Sequence, residues 1–129
     1  EVVKPPTVAA QEDTSRVFDE AIDAVVDAYH KLLDAGVPAE DARYLLPNAA
    51  ETKIVITMNI RELLHFLSLR CCNRAQWEIR ELANRMLELV RPTAPYIFMD
   101  AGAPCVRGVC PEGKMTCGNP YPRVDRSQL

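Results

Sequence analysis

The sequence predicts an α+β domain that is mainly helical, with a central strand that feeds directly into a helix. Apolar residues recur at helical spacing in several segments, and one β-branched segment alternates between two faces instead. The end of the chain has neither period and is rich in Gly, Pro and Cys. We therefore expect a connector over residues 1–13, a helical part over 14–97 and an irregular tail over 98–129.

Composition excludes several classes of protein. A net charge of −3 and a pI near 5.4 argue against a general nucleic-acid binder, which needs a basic face to displace counterions. The apolar stretches are too short to span a bilayer and the N-terminus has no signal-peptide pattern, so we expect no membrane partner and a cytoplasmic location. Because the chain begins at Glu1 without a methionine, we expect a piece of a longer protein.

Two helices are predicted in the first half. Helical spacing over Thr14 to Ala35 places five apolar residues on one face: Phe18, Ile22, Val25, Tyr29 and Leu32. Gly36 suits the C-terminal cap of this helix. Pro38 suits the first position of a second helix, and Pro47 ends that helix after about two turns.

A strand and two further helices follow. In the strand, Thr52 to Asn59, side chains alternate between two faces. Asn59 then caps a third helix that ends near Arg70, with Glu62 at the capping-box position. A fourth helix runs from Ala75 to the prolines at 92 and 95. Its predicted buried residues are Ile79, Leu82, Ala83, Met86, Leu87 and Val90.

Polar residues on the third helix form the first candidate site. Arg61, His65 and Ser68 recur at i, i+4 and i+7, so that a ligand could lie along them, or they could form an ordinary solvated face. Arg43 and Arg70 each end a mostly apolar element and could clamp a nucleotide phosphate. The alternative for both is a surface ion pair with Asp41, Glu62 or Glu78.

The five cysteines form a second candidate group. Cys105, Cys110 and Cys117 lie in the tail, and one of the adjacent Cys71 and Cys72 could in principle complete a zinc tetrahedron. The spacing lacks C-x2-C knuckles and the tail has no histidine, so we predict no metal and favour free thiols or a disulfide. A secreted disulfide framework is disfavoured by the odd count.

Four phrases, taken in order, resemble the flavin-dependent thymidylate synthases, a family also called thymidylate synthase complementing proteins. They are Gly36 to Pro47, Thr52 to Arg61, Leu67 to Arg70, and Ala75 to Arg80. The resemblance covers roughly Thr14 to Val90, and the tail phrase Cys105 to Lys114 is similar to a subset of the family. It implies the fold of the C-terminal half of these enzymes.

The resemblance also implies an activity: methylation of dUMP to dTMP with FAD as cofactor and methylenetetrahydrofolate and NADPH as co-substrates, in a homotetramer. By position, Arg43 and Arg70 match residues that bind dUMP, and Arg70 also matches the catalytic arginine that favours ionisation of the uracil N3. Asn59, Ile60, Arg61 and His65 match flavin-binding positions, while the role of Arg74 stays open.

One departure from the family pattern decides what this chain can do alone. The family's Arg-His-Arg signature belongs to the N-terminal half, and these 129 residues do not contain it. We therefore expect a chain that supplies only part of an active site and is inactive alone. The alternative is a catalytically inert nucleotide-binding or assembly module of the same fold.

Overall fold

The computed structural model describes residues 1–124 and confirms a mainly helical chain. Its contacts divide the chain into two compact units, the first being Glu1–Val55 and the second beginning at Ile56. The predicted boundaries at 13/14 and 97/98 stay a prediction. Within residues 1–124, none of the helices combines the length and apolar character that crossing a bilayer requires.

The first unit is organised around one long helix. Helix α2, Glu12–Asp34, confirms the first predicted helix, and its five apolar residues are half-buried. It packs against helices α1 (Pro6–Ala9) and α3 (Ala39–Ala42). The predicted connector 1–13 therefore contains a short helix that periodicity misses, since four residues are too few to show a period. Gly36 ends α2 at φ +83°, a left-handed conformation that glycine adopts without steric cost.

The second predicted helix is present but shorter. Pro38 is the N-cap of α3 rather than its first helical residue, and a 3-10 turn, Arg43–Leu45, continues the chain towards Pro47. A single antiparallel bridge joins Val2 to Ala50, supported by the Val3 N–H, which donates to the Ala49 carbonyl at 2.9 Å. That bridge is the β pairing found within residues 1–124.

The predicted central strand is not confirmed. Residues 51–59 have neither helical nor strand structure, and Val55 is 98% exposed, with Ile54 and Ile56 also exposed. The correction has a physical reason. Alternation of β-branched residues measures how well a segment would fit a pleated surface, whereas a strand forms only when a second strand supplies ladder hydrogen bonds. No such partner lies beside this segment within residues 1–124.

Two helices form the frame of the second unit. Helix α4, Ile60–Arg70, begins at Asn59, whose Oδ1 accepts from the Glu62 N–H at 2.9 Å, as predicted. The reciprocal half of the capping box, in which the Asn59 N–H would donate to the Glu62 carboxylate, is not formed in the described chain. Helix α5, Trp77–Val90, begins two residues later than predicted because Gln76 caps it, accepting from the Glu78 and Ile79 N–H groups.

The core of the second unit lies between α4, α5 and helix α6 (Pro95–Phe98). Its buried members are Leu67, Cys71, Ala83, Leu87, Phe98, Ala101 and Ala103. Of the residues predicted to be buried on α5, Ala83 and Leu87 are in this core, but Leu82 is 51% exposed. The helical period places Leu82 at the margin of the apolar stripe, where burial depends on a neighbouring element.

The tail is irregular, as predicted, but it is fastened to the turn between α4 and α5. Asn73 is the hub: its Nδ2 donates to the Asn119 carbonyl, and its Oδ1 accepts from the Tyr121 hydroxyl, both at 2.8 Å. Its own carbonyl accepts from Arg80 at 2.8 Å. Two 3-10 turns, Pro104–Val106 and Gly113–Met115, precede Asn119 and Tyr121 in the tail.

Candidate functional site

Helix α4 positions most of the candidate residues. Arg61 and His65 are exposed and lie one turn apart, and Ser68 is half-buried, with its hydroxyl donating to the His65 carbonyl at 2.7 Å. The predicted polar stripe therefore exists, and its first two members face solvent. Arg70 is the last residue of the helix, where the partial negative charge of the C-terminal carbonyls favours a cation.

A cavity beside α4 brings two of the predicted residues together. This α4 cavity has a volume of about 410 Å³. It is lined by Met58, Glu62, His65, Phe66, Leu69 and Arg70. The cavity is open to solvent, since none of its six lining residues is buried, and it offers a ligand three polar side chains, those of Glu62, His65 and Arg70, beside apolar ones. Glu62 and Met58 were not among the predicted site residues, because in sequence one is explained by helix capping and the other by strand alternation.

The side chain of Arg70 is available for a ligand. In the described chain it forms no ion pair and no hydrogen bond, so the predicted alternative partners Glu62 and Glu78 do not neutralise it. A guanidinium stays charged at all physiological pH values and presents a planar fork of donors. Arg70 therefore offers the α4 cavity a fixed positive charge and several directed hydrogen bonds.

Arg43 lies in the first unit, on the 3-10 turn that follows α3. It is exposed and, within residues 1–124, has no carboxylate partner, Asp41 included. Its exposed guanidinium can therefore form charge-assisted hydrogen bonds to an oxyanion.

The other predicted flavin residues lie at the beginning of α4, outside the lining of the α4 cavity. Asn59 uses its Oδ1 for the helix cap, which leaves its amide NH2 for a ligand. Ile60 is 49% exposed and Arg61 is exposed, so both present side-chain surface to solvent. Asn59, Ile60 and Arg61 thus lie at the N-terminal end of α4 and Arg70 lies at its C-terminal end, with His65 between them.

A second cavity lies under the tail. This tail cavity, about 390 Å³, is lined on one side by Ser68 to Arg70 and the turn after α4, and on the other by the tail. Arg74, predicted to pair with Glu78, instead pairs with Glu112 at 2.7 Å across this cavity. Leu69 and Arg70 line both cavities. Sequence reasoning missed Glu112, since a contact between residues 38 positions apart leaves no local signal.

Cys71, which follows Arg70 in the sequence, is buried and poorly reactive. Cys71 is 2% exposed and belongs to the core, and burial raises the pKa of its thiol, an effect that Arg91 opposes. A raised pKa keeps the sulfur protonated and poorly nucleophilic. Cys71 is thus a packing residue rather than a nucleophile.

Comparison with known families shows which family the chain belongs to. The model of the thymidylate synthase complementing protein family matches residues 1–96, most of the chain and all of α4 and α5. The chain belongs to this family. The matched region is followed by a tail that continues beyond residue 96.

Several relatives of the chain bear a common name. The chain is 63% identical over 116 residues to a flavin-dependent thymidylate synthase of Geobacter sulfurreducens, covering 90% of this chain and 50% of that protein. It is 45% identical over 130 residues to one of Clostridium tetani, covering 88% and 52%. It is also 48% identical over 102 residues to one of Saccharolobus solfataricus, covering 79% and 38%. The chain thus spans about half the length of these relatives or less.

Proposed function

We propose that this chain supplies part of the active site of a flavin-dependent thymidylate synthase, which methylates dUMP to dTMP. The observation that carries the proposal is the α4 cavity, where Arg70 is charged and unpaired beside His65. Membership of the family and relatives that bear this enzyme's name support it. The carbon would come from methylenetetrahydrofolate and the reducing equivalents from NADPH by way of FAD.

In this proposal Arg70 and Arg43 bind dUMP. A guanidinium close to a uracil ring stabilises the ring's anionic form, which lowers the pKa of the N3–H and makes the base more electron-rich. Arg70 can do this because no carboxylate within residues 1–124 competes for it. Arg43, which is equally unpaired, would bind the dianionic phosphate through charge-assisted hydrogen bonds.

FAD would be held by residues along α4. Asn59, Ile60 and Arg61 offer an amide, an apolar surface and a cation at the helix N-terminus, where the helix dipole also favours an anionic diphosphate. His65, one turn on, lines the α4 cavity. These residue types fit a flat ring joined to a diphosphate. The flavin supplies the hydride chemistry, and the protein supplies position and charge.

The second candidate is an inert module of the same fold that binds a nucleotide or assembles with other chains. The observation that favours it is that Arg43 and Arg70 are both unpaired within residues 1–124, since two free guanidinium groups can bind a nucleotide without any redox chemistry. The full assembly proposed for the enzyme is a homotetramer, in which other copies and the family's N-terminal half would complete the site. The two candidates differ in whether the chain turns over dUMP once that half is supplied.

The test measures FAD and dUMP binding by this chain alone and after mixing with a polypeptide carrying the N-terminal half of the Geobacter sulfurreducens relative. Formation of dTMP from dUMP, methylenetetrahydrofolate and NADPH by the mixture is the expected result. Ligand binding without turnover would favour the inert module, and no dUMP binding in either condition would contradict both. For the variants Arg70→Ala and Arg43→Ala in the same assays, the matched control is Arg85→Ala, which removes an exposed α5 arginine paired with Glu81.

A further inference from the structure

The walls of the tail cavity are mostly apolar and come from both sides of it. Leu69 and Ala75 belong to α4 and the turn after it, and Pro104, Pro111, Pro120 and Tyr121 belong to the tail. The Tyr121 hydroxyl already donates to Asn73, so its ring adds apolar surface without an unsatisfied polar group. The volume of about 390 Å³ is in the range of pockets that enclose small organic molecules.

The cysteines of the lining add to this apolar surface. Cys72, Cys105, Cys110 and Cys117 all line the tail cavity, and all five thiols of the chain are free. Within residues 1–124, no three Cys, His, Asp or Glu side chains stand close enough together to hold a metal ion. A free thiol behaves as a small, weakly polar group. These four side chains therefore belong with the apolar walls.

One charge in the lining has no partner. The charged residues of the lining are Arg70, Arg74 and Glu112, and the last two pair with each other at 2.7 Å. Arg70 forms no ion pair and no hydrogen bond within residues 1–124. A carboxylate can accept two parallel hydrogen bonds from such a guanidinium, whereas a neutral ligand would leave it unpaired. A dianion would place a second, unpaired charge against apolar walls, which is costly.

We propose that the tail cavity binds an aromatic carboxylate, with its ring against the apolar walls and its carboxylate on Arg70. Leu69 and Arg70 also line the α4 cavity, so the two cavities share one positive charge. A carboxylate bound in the tail cavity neutralises the guanidinium that acts on dUMP, a consequence that rests on the proposed function. The tail cavity is thus a regulatory site, whose ligand weakens the binding of dUMP.

The first test is isothermal titration of the chain with 2-naphthoate, an aromatic carboxylate, and with 2-naphthamide, its uncharged counterpart. We expect saturable binding of 2-naphthoate and about 10-fold weaker binding of 2-naphthamide. Arg70→Ala should remove the difference between the two ligands, whereas Arg85→Ala, at an exposed arginine paired with Glu81, should keep it. The proposal is overturned if 2-naphthoate does not bind, if both ligands bind equally, or if the difference survives in Arg70→Ala.

A second measurement locates the ligand in the unmodified chain and so does not depend on the variants folding. Nuclear Overhauser contacts should join the naphthalene protons to the ring of Tyr121, and their absence would overturn the proposal. Ala75→Leu enlarges a side chain of the lining and should weaken 2-naphthoate binding about 10-fold. Ala24→Leu, at an exposed alanine of α2, is the matched control and should leave it unchanged.

The regulatory role is tested by titrating dUMP into the chain, alone and with the N-terminal half of the relative. Saturating 2-naphthoate should raise the dissociation constant of dUMP about 5-fold or more. An unchanged constant would show that the two cavities do not share Arg70, and would overturn the regulatory role. Failure to bind dUMP without 2-naphthoate would overturn the proposed function and the regulatory role together. The binding site itself is decided by the titrations without dUMP.

Discussion

At the scale of single residues, the candidate site depends on two cations that the fold leaves without partners. Arg70 ends α4 and lines both cavities, while Arg43 lies in the first unit. By contrast, Arg74 and Arg85 are satisfied by Glu112 and Glu81. Arg61, Arg91, Arg107 and Arg123 also lack a carboxylate partner within residues 1–124. Arg43 and Arg70 are the ones to substitute first because they are the proposed dUMP-binding residues, and Arg70 also lines both cavities.

Arg70→Ala, made in the chain joined to the relatives' N-terminal half, should lower kcat for dTMP formation about 100-fold or more if Arg70 has its proposed role, because the variant then loses the charge that stabilises the reacting base. Arg70→Lys should recover little, since an ammonium lacks the planar fork. The measurement is steady-state kinetics alongside circular dichroism. Arg85→Ala should behave like the unmodified enzyme, and near-normal kcat in Arg70→Ala would contradict the assignment.

Arg43→Ala should act on binding instead. Loss of a charge-assisted bond to phosphate corresponds to about 10-fold or more in dUMP affinity, seen as a higher KM with kcat largely kept. Isothermal titration with dUMP and with uncharged deoxyuridine separates the cause. The variant and the parent should differ for the nucleotide and agree for the nucleoside. Equal losses for both would show that Arg43 does not bind the phosphate.

Cys71 predicts a pH dependence of stability. Its pKa in the folded chain is raised above the ordinary 9.0 because the thiol is buried. Below the ordinary pKa of the unfolded chain, the thiol is protonated in both the folded and the unfolded state, and its contribution to stability is fully present. As pH rises through the unfolded pKa towards the folded one, the unfolded chain ionises first and folding is weakened. Urea midpoints measured at about pH 8 and about pH 10 should fall more in the parent than in Cys71→Ala. Equal falls would contradict this.

At the scale of elements, the start of α4 depends on one side-chain hydrogen bond. Asn59→Ala removes the acceptor of the Glu62 N–H and should lower the free energy of unfolding by about 1 kcal/mol. Urea denaturation followed by fluorescence of Trp77, the single tryptophan, reports on the second unit. Asn119→Ala is the matched control, because its exposed side chain has no bond and only its backbone takes part in contacts. Equal destabilisation by both would argue against capping.

The helices could be predicted from sequence because their signals are local. Apolar spacing located α2 and α5, and Asn59 located the start of α4, each within a few residues. The strand predicted over residues 52–59 was not confirmed, because its formation does not depend on local signals alone. Its composition describes a preference for a pleated surface, and that preference is realised only beside a strand that the described chain does not supply.

At the scale of the whole second unit, the tail is held by contacts that join distant parts of the sequence. Tyr121→Phe removes the hydrogen bond to Asn73, a residue 48 positions away. It should cost about 1 kcal/mol and speed tryptic cleavage at the exposed Arg107 and Lys114. Tyr96→Phe, at a tyrosine that is 78% exposed, is the control. An unchanged cleavage rate in Tyr121→Phe would mean that the tail is held by other contacts.

Separation along the sequence also explains how much of the candidate site could be predicted. The sequence predicts His65 and Arg70 as site residues, and both line the α4 cavity, while their roles stay a prediction. The Asn73 hub and the Arg74 pair with Glu112 were not predicted, since each depends on how the tail folds back. Periodicity reports on neighbours along a helix, and it carries no information about a residue 38 or 48 positions away.

The exposed segment over residues 53–58 has a consequence for handling the chain. These six residues carry one charge, no proline and three β-branched aliphatic side chains, of which Val55 is almost fully exposed. Such segments pair edge to edge with their own copies and stack into insoluble cross-β assemblies. We therefore expect this short segment to promote aggregation of the chain, and we expect Lys53, its one charged residue, to oppose it.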